Sequence, residues 1–367
     1  MPRRLLLVGG GHVHLHILKK LQQHPIPNVE VNLLSPFPIQ YYSGMLSGFV
    51  EGLYAEEQIG VNLRKLCEAA GVSFIEDRVA SLDAVSQTVI TERTRRMLKY
   101  DAVSFNIGSE VAATDIPGVK MFGIRVKPME LFIQFINQLD FSERILVVGG
   151  GASGIELALS LRARQRQQPG LEMSPDRITI VTSGALMGVS NSWIESKLMH
   201  ILSRKGLTFY TNKAVMKVHE NHVILNSGVT LSFDRLLWLT GPKAPDLFGK
   251  SGLKVRDQGY LLVNPTLQSV DFPNIFGAGD CVAIDAYAPL PKSGVYAVKE
   301  APVLWANLLH YFNGQRLVNY HPHTPSLSLL STGNREAFLI YGKVIFHSKW
   351  FWKLKNKIDS RFMRNYQ

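Results

Sequence analysis

Two glycine triplets 140 residues apart, Gly9-Gly10-Gly11 and Gly149-Gly150-Gly151, and a Gly277-Ala278-Gly279-Asp280 turn hold most of the residues in this chain with a chemical use. Each triplet follows a short apolar run, Leu5–Val8 or Ile145–Val148, and leads into a helical stretch. A buried parallel strand, a tight turn and a helix with unpaired first N–H groups form a site for an anion such as pyrophosphate. The second turn, Gly149-Gly150-Gly151-Ala152-Ser153-Gly154, carries the full G-x-G-x-x-G spacing. The first reads Gly9-Gly10-Gly11-His12-Val13-His14, with His14 in the place of the third glycine. A strand–turn–helix without a ligand is the plain alternative for that turn taken alone. Its second strand ends at Ser35, where an acid is expected, although a hydroxyl there can still bond a ribose or an adenine. The corresponding strand of the second unit ends Val181-Thr182-Ser183 with neither an acid nor a nearby arginine, so NADH and NADPH are not told apart.

At Phe276–Asp280 a strand ends, two glycines admit a close ligand, and the carboxylate of Asp280 can accept bonds from sugar-like hydroxyls. Behind it, Pro291-Lys292-Ser293-Gly294-Val295 opens a helix to about Tyr311, whose positive end suits negative charge on a reduced flavin. Glu156 stands at the head of the second helix. It either complements the helix dipole or contacts the nicotinamide end of a dinucleotide.

These residues need two units of one plan. In the first, Leu5–Val8 and Val29–Leu34 are parallel strands around a helix His12–Gln23. Short strands follow near 72–75, 80–82 and 88–91, and the apolar run Tyr100–Ile107 closes at Gly108. Ser35–Gly48, rich in proline, glycine and aromatics, reads as a loop over a ligand. The second unit repeats the plan with a helix from Ile155 to about Arg166, a polar insert over 165–175, a strand Ile178–Val181 and an ending at Leu236–Leu239. The expected fold is α/β, with two nested Rossmann-like dinucleotide-binding domains. The first unit takes residues 1–115 and 251–325, the second 116–250, and an aromatic, basic segment 326–367 follows.

The composition, 46% hydrophobic and 19% charged, is that of a globular protein, and no run approaches the roughly 18 apolar residues of a membrane span. The net charge of +11 favours anionic partners such as nucleotides or lipid headgroups; no nucleic-acid motif accompanies it. Cys67 and Cys281 are too far apart to suggest a disulfide framework or a zinc site, which fits a reducing, cytoplasmic setting. His321-Pro322-His323 alone has metal-like spacing, and a loop is the better reading; no metal is expected.

The chain resembles the pyridine nucleotide–disulfide oxidoreductases, in their type II NADH dehydrogenase-like branch. Four segments look like the subgroup found fused to or beside selenophosphate synthetase: Tyr42–Leu46, Val126-Lys127-Pro128, Leu290–Tyr296 and Lys357–Met363. The selenophosphate synthetase half is absent, so a free-standing form is expected. The resemblance implies FAD on Gly9, Gly11 and Asp280, and NADH or NADPH on Gly149, Gly151 and Glu156. Nicotinamide would stack on flavin and a quinone would accept the electrons. The flavin-proximal Ala-Gln motif of that branch is missing, and Lys292–Val295 takes its place. The expected site is therefore Glu156 and Lys292 for catalysis, with Gly9, Gly10, Gly11, His12, Ser35, Gly108, Gly149, Gly151, Ser153, Gly154, Gly279, Asp280, Gly294 and Val295 on the cofactors. A reductase with a selenium or sulfur acceptor is one rival. A non-enzymatic dinucleotide sensor is another.

From Lys343 to Tyr366 there are seven Lys or Arg residues and one acid, Asp359. If helical, the segment lines up Trp350, Leu354, Ile358 and Phe362, with Lys353, Lys355, Lys357 and Arg364 mostly off that stripe. The mixture suits peripheral contact with the cytoplasmic face of a membrane. Docking of the stripe onto the first domain is the alternative, and a homodimer is also open.

Overall fold

Leu5–Val8 and Ile145–Val148 carry only apolar side chains, and both are sealed from solvent, as strands covered on both faces must be. The computed structural model describes residues 2–171, 174–188, 192–257, 259–322, 327–342 and 344–367. His323, the limit at 325/326, Lys343, and Glu172 and Met173 of the polar insert lie outside the described residues.

Each of those runs is the central strand of a five-stranded parallel sheet. The first sheet is ordered Ile275–Gly277, Ala102–Phe105, Arg3–Val8, Val29–Ser35, Ser73–Glu76. The second is ordered Gly123–Arg125, Arg235–Trp238, Ile145–Val148, Ile178–Val181, Thr208–Tyr210. Each unit also carries a three-stranded antiparallel meander, over 79–99 in the first and 215–232 in the second. The chain leaves the first sheet and returns to it at Ile275, whose strand pairs with Ala102–Phe105. Helices His12–Gln23, Ala152–Gln165 and Gly294–Asn313 pack against these sheets.

Two segments differ from expectation. Residues 35–48 are not a bare loop: they contain the strand Ile39–Tyr41 and the short turn Ser43–Met45, and the helix Leu46–Glu51 follows. These pieces are too short for periodicity to reveal. The C-terminal segment holds an antiparallel sheet, Ser328–Ser331, Ala337–Tyr341 and Val344–Ser348, before the helix Lys349–Arg364. Ser348 caps that helix by accepting the Trp350 N–H. Its inward face is Lys355, Asp359 and Met363. Trp350, Leu354 and Ile358 face outward, Trp350 being 76% exposed, while Phe362 tucks inward. The apolar stripe therefore docks on the body only at Phe362, and Lys355 is buried on the helix's inward face.

Candidate functional site

The first glycine turn is built against Asn106, at the end of its neighbouring strand. Gly9 has φ 91°, and a methyl group there would stand 2.5 Å from the Asn106 carbonyl oxygen; one on Gly11 would collide with the Asn106 side chain. Asn106 Oδ1 accepts the Val13 N–H at 3.0 Å, and its Nδ2 donates to the Ala278 carbonyl at 2.8 Å. One side chain thus joins the first turn to the Gly277–Asp280 turn. Sequence reasoning missed it, because a single Asn after an apolar run has no spacing signal.

His14 explains the broken fingerprint. Its Nδ1 lies 2.6 Å from the Gly9 carbonyl and its Nε2 2.9 Å from Ser104 Oγ. A carbonyl only accepts, so Nδ1 carries the proton and Nε2 accepts from Ser104. Where a third glycine would let helix and strand touch, an imidazole bridges them. Burial holds it neutral, with its pKa lowered to about 4.

The helix beginning at His12 gets no cap from its own N-cap residue, and Asn106 takes only the Val13 N–H, which leaves other first-turn N–H groups for an anion. His12 Nε2 is closed off from solvent and has no hydrogen-bond partner among the described residues. The ring lies edge-on to Tyr42 at 5.3 Å and 5.6 Å from Phe362. Nε2 would be 3.5 Å from a methyl group on Gly294, so it faces the start of that helix. Burial lowers its pKa to about 4, against the opposing pull of Asp280. An orphaned nitrogen among the first turn, Asp280 and Gly294 fits a hydrogen-bonding ligand such as FAD.

Asp280 Oδ2 is 3.2 Å from Lys127 Nζ, which also donates to Ser109 Oγ at 2.8 Å. Gly279 N–H donates to Glu300 at 2.5 Å, and burial pushes the Glu300 carboxyl up to about 7. Lys292 Nζ donates to the Val282 carbonyl and lies 4.1 Å from the Tyr260 ring centre; burial lowers its pKa, and Cys281, Asp280 and Glu300 oppose that. Lys292 therefore pins the loop before the helix. Gly108, at φ 70°, borders open space, and Val295 is partly exposed. Ser35 is buried and donates to the Phe37 carbonyl at 3.2 Å, so its hydroxyl proton is committed within its own turn and not to a ribose.

The second turn is different. A methyl group on Gly154 would collide with the Gly149 carbonyl, the close approach that a third glycine permits. Gly151 borders open space, and Gly151, Ala152 and Ser153 are exposed at an uncapped helix start. Glu156 is the fifth residue of that helix and lies beyond its first turn, so the dipole reading does not hold. Its Oε1 accepts from Ser47 Oγ at 2.9 Å and from the Ser331 N–H at 2.8 Å. Burial raises its pKa, and Lys355 opposes that.

Lys355 Nζ donates to the Gly44 carbonyl and to Asp359 Oδ2 at 2.7 Å; Asp359 Oδ1 accepts from Tyr42 OH at 3.0 Å. The Tyr42 ring stacks on Phe362 at 4.4 Å. The structure thus gathers Glu156, Lys355, Asp359 and Tyr42 beside His12, whereas Lys292 keeps a separate set of partners behind Asp280. The Lys355–Asp359 spacing of four residues was visible as a helical pair, but nothing in it said that the pair faces inward. Cys67 and Cys281 are buried, and burial pushes both thiols up to about 12, so neither is a ready nucleophile.

Residues 3–301 match the family described as pyridine nucleotide-disulphide oxidoreductase. The chain belongs to that family. It is an oxidoreductase that works with FAD and with NADH or NADPH. It is 26% identical to ferroptosis suppressor protein 1 of Taeniopygia guttata, over 91% of this chain and 87% of that one. It is also 26% identical to a demethylphylloquinone reductase of Synechocystis, over 83% and 80%. Among solved structures, NDH2 of Plasmodium falciparum in complex with NADH superimposes with a TM-score of 0.82 at 16% identity, covering 100% of this chain and 98% of that one.

Proposed function

We propose that this chain oxidises NADH or NADPH through FAD and hands the electrons to a quinone-like acceptor. The observation that carries this is the pairing of an open, complete second glycine turn with a first turn that aims the unpartnered His12 Nε2 at Asp280 and Gly294. The demethylphylloquinone reductase among the relatives supports the acceptor class. When bound, FAD supplies the ring that takes two electrons from one substrate and gives them to the other. Gly9, Gly10, Gly11 and the uncapped start of the first helix hold its pyrophosphate, Asp280 takes hydroxyls, and His12, Gly108, Gly279, Gly294 and Val295 border the rest. Gly149, Gly151, Ser153 and Gly154 hold the pyridine nucleotide. Burial makes Glu156 hold a proton more readily than an exposed acid, at Oε2 because Oε1 accepts two hydrogen bonds, and Lys355 opposes that. The FAD unit takes residues 1–115 and 251–325, and the nucleotide unit 116–250. Anaerobic NADH or NADPH should bleach a yellow protein, and a soluble quinone should restore the colour. Protein that stays colourless with added FAD would refute this.

The four segments resembling the selenophosphate synthetase-associated subgroup support placing the chain there, because Tyr42, Lys127, Lys292 and Asp359 all stand around the site. We also infer peripheral attachment to the cytoplasmic face of a membrane through residues 326–367. No helix among the described residues is long and apolar enough to cross one. Trp350, Leu354, Ile358 and Phe346 are exposed, and Lys353, Lys357, Arg361 and Arg364 surround them. Each basic residue near an anionic leaflet adds about 1 kcal/mol. Changing Trp350, Leu354 and Ile358 to Ser should abolish sedimentation with anionic liposomes and leave the melting temperature unchanged. Undiminished sedimentation would sink the idea, and a loss of dimer in light scattering would assign the face to a second copy.

A further inference from the structure

We propose that NADPH is the preferred cosubstrate and that Lys213 selects it by holding the 2′-phosphate; this rests on the second turn being the pyridine-nucleotide site. The strand Ile178–Val181 ends at Thr182, whose side chain lies against the turn, 2.7 Å from where a methyl group on Gly150 would stand. The adenosine ribose of a dinucleotide arrives at this strand end. An acid there selects the free 2′-hydroxyl of NADH, and a cation selects the 2′-phosphate of NADPH. Thr182 and Ser183 supply hydroxyls and no charge, and neither 182–188 nor 208–214 contains an Asp or Glu.

The cation comes from the next strand of the sheet, which sequence proximity hides. Thr182 N–H donates to the Tyr210 carbonyl at 2.9 Å, Asn212 turns the chain at φ 54°, and the Lys213 N–H donates back to the Thr182 carbonyl at 2.9 Å. Asn212 N–H reaches the Gly184 carbonyl at 3.3 Å, so 212–213 runs beside the loop at the strand end. On its other side, that loop is drawn onto the glycine turn by the Met187 N–H, which donates to the Gly150 carbonyl at 2.6 Å. Lys213 is half-buried, and among the described residues its ammonium makes no salt bridge or hydrogen bond. A lysine with an unspent ammonium, tied by its backbone to a strand end that carries two hydroxyls and no carboxylate, suits a dianionic phosphate, whereas a bare 2′-hydroxyl meets no charged acceptor there.

The test is titration of flavin-loaded protein with 2′,5′-ADP and with 5′-AMP. The wild type should bind 2′,5′-ADP at least tenfold more tightly, with the difference shrinking as salt rises. Lys213→Gln should bring the ratio close to one, and Lys213→Arg should keep it. The ratio of the KM values for NADPH and NADH should follow the same order. A wild-type ratio near one, or a ratio that Lys213→Gln leaves untouched, overturns the assignment to Lys213. If neither analogue binds and neither nucleotide bleaches the flavin, the reading of the second turn falls, and this proposal with it.

Discussion

Replacing Lys355 by Met should cost about 3–5 kcal/mol, the usual penalty for removing one partner of a buried ion pair. The side chains of Lys355 and Asp359 are 11% and 7% exposed, and their atoms lie 2.7 Å apart. Without the ammonium, Asp359 keeps only the Tyr42 hydroxyl, and the Gly44 carbonyl loses its donor. Glu156 loses the cation that opposes its burial, so its carboxyl moves further up. Converting both partners, Lys355→Met with Asp359→Leu, should recover most of the loss, because Asp359 no longer stays buried as an unpaired charge. Urea unfolding of the four proteins at one FAD concentration gives the coupling energy. Hydrogen exchange over 349–364 shows whether the single variants lose the whole fold or only the docking of the helix. Single variants that each cost under about 1 kcal/mol, or a double variant whose loss is the sum of the two, would refute the reasoning.

Gly11→Ala should lower both FAD content and stability, because the new methyl group meets Asn106. Gly151→Ala, which meets nothing within 4 Å, should instead raise the nucleotide KM at least tenfold with an unchanged melting temperature, and a fall in melting temperature would count against it. Glu300, pushed up to about 7 from 4.5, lets the unfolded chain release its proton first, so its cost to stability grows from pH 4.5 and is complete above about 7. Glu300→Gln should therefore stabilise by about 3 kcal/mol at pH 8 and by little at pH 5, as melting curves would show. His12 and His14, lowered to about 4 from 6.5, act in the opposite direction: the stability from their neutral forms is whole above 6.5 and drains as pH falls towards 4. His14→Gln should flatten the acid limb of a stability–pH curve, and an unchanged limb would contradict the bridge described for it.

The parts of the fold legible in the sequence were those with a strong local signal. The runs 5–8 and 145–148 are entirely apolar, so burial on both faces followed at once, and the glycines after them fixed strand, turn and helix. The expected second strands of the two units, 29–34 and 178–181, appear with ends shifted by at most one residue. His14 and Asn106 were opaque because their roles are contacts between distant segments, 90 residues apart for His14 and Ser104, and 172 for Asn106 and Ala278. Lys355 misled in a different way. A lysine in a basic helix is nearly always solvated, and only its distant partners Gly44 and Glu156 bring it inside. The C-terminal sheet was missed because an aromatic, basic composition hid the alternation of its short strands.

The two glycine turns share one plan yet differ in how they are enclosed. Gly9 and Gly10 are buried, and the His12 ring beside the first turn packs against Tyr42 and against Phe362 of the terminal helix; Gly151, Ala152 and Ser153 of the second stand open to solvent. A ligand on the first turn would lie beside a helix from the far end of the chain, whereas one on the second would meet solvent. Residence time should therefore separate the two ligands proposed for them. One would stay through many turnovers as part of the enzyme and the other would leave after each, so one local shape used twice would supply both a fixed redox centre and an exchangeable reductant.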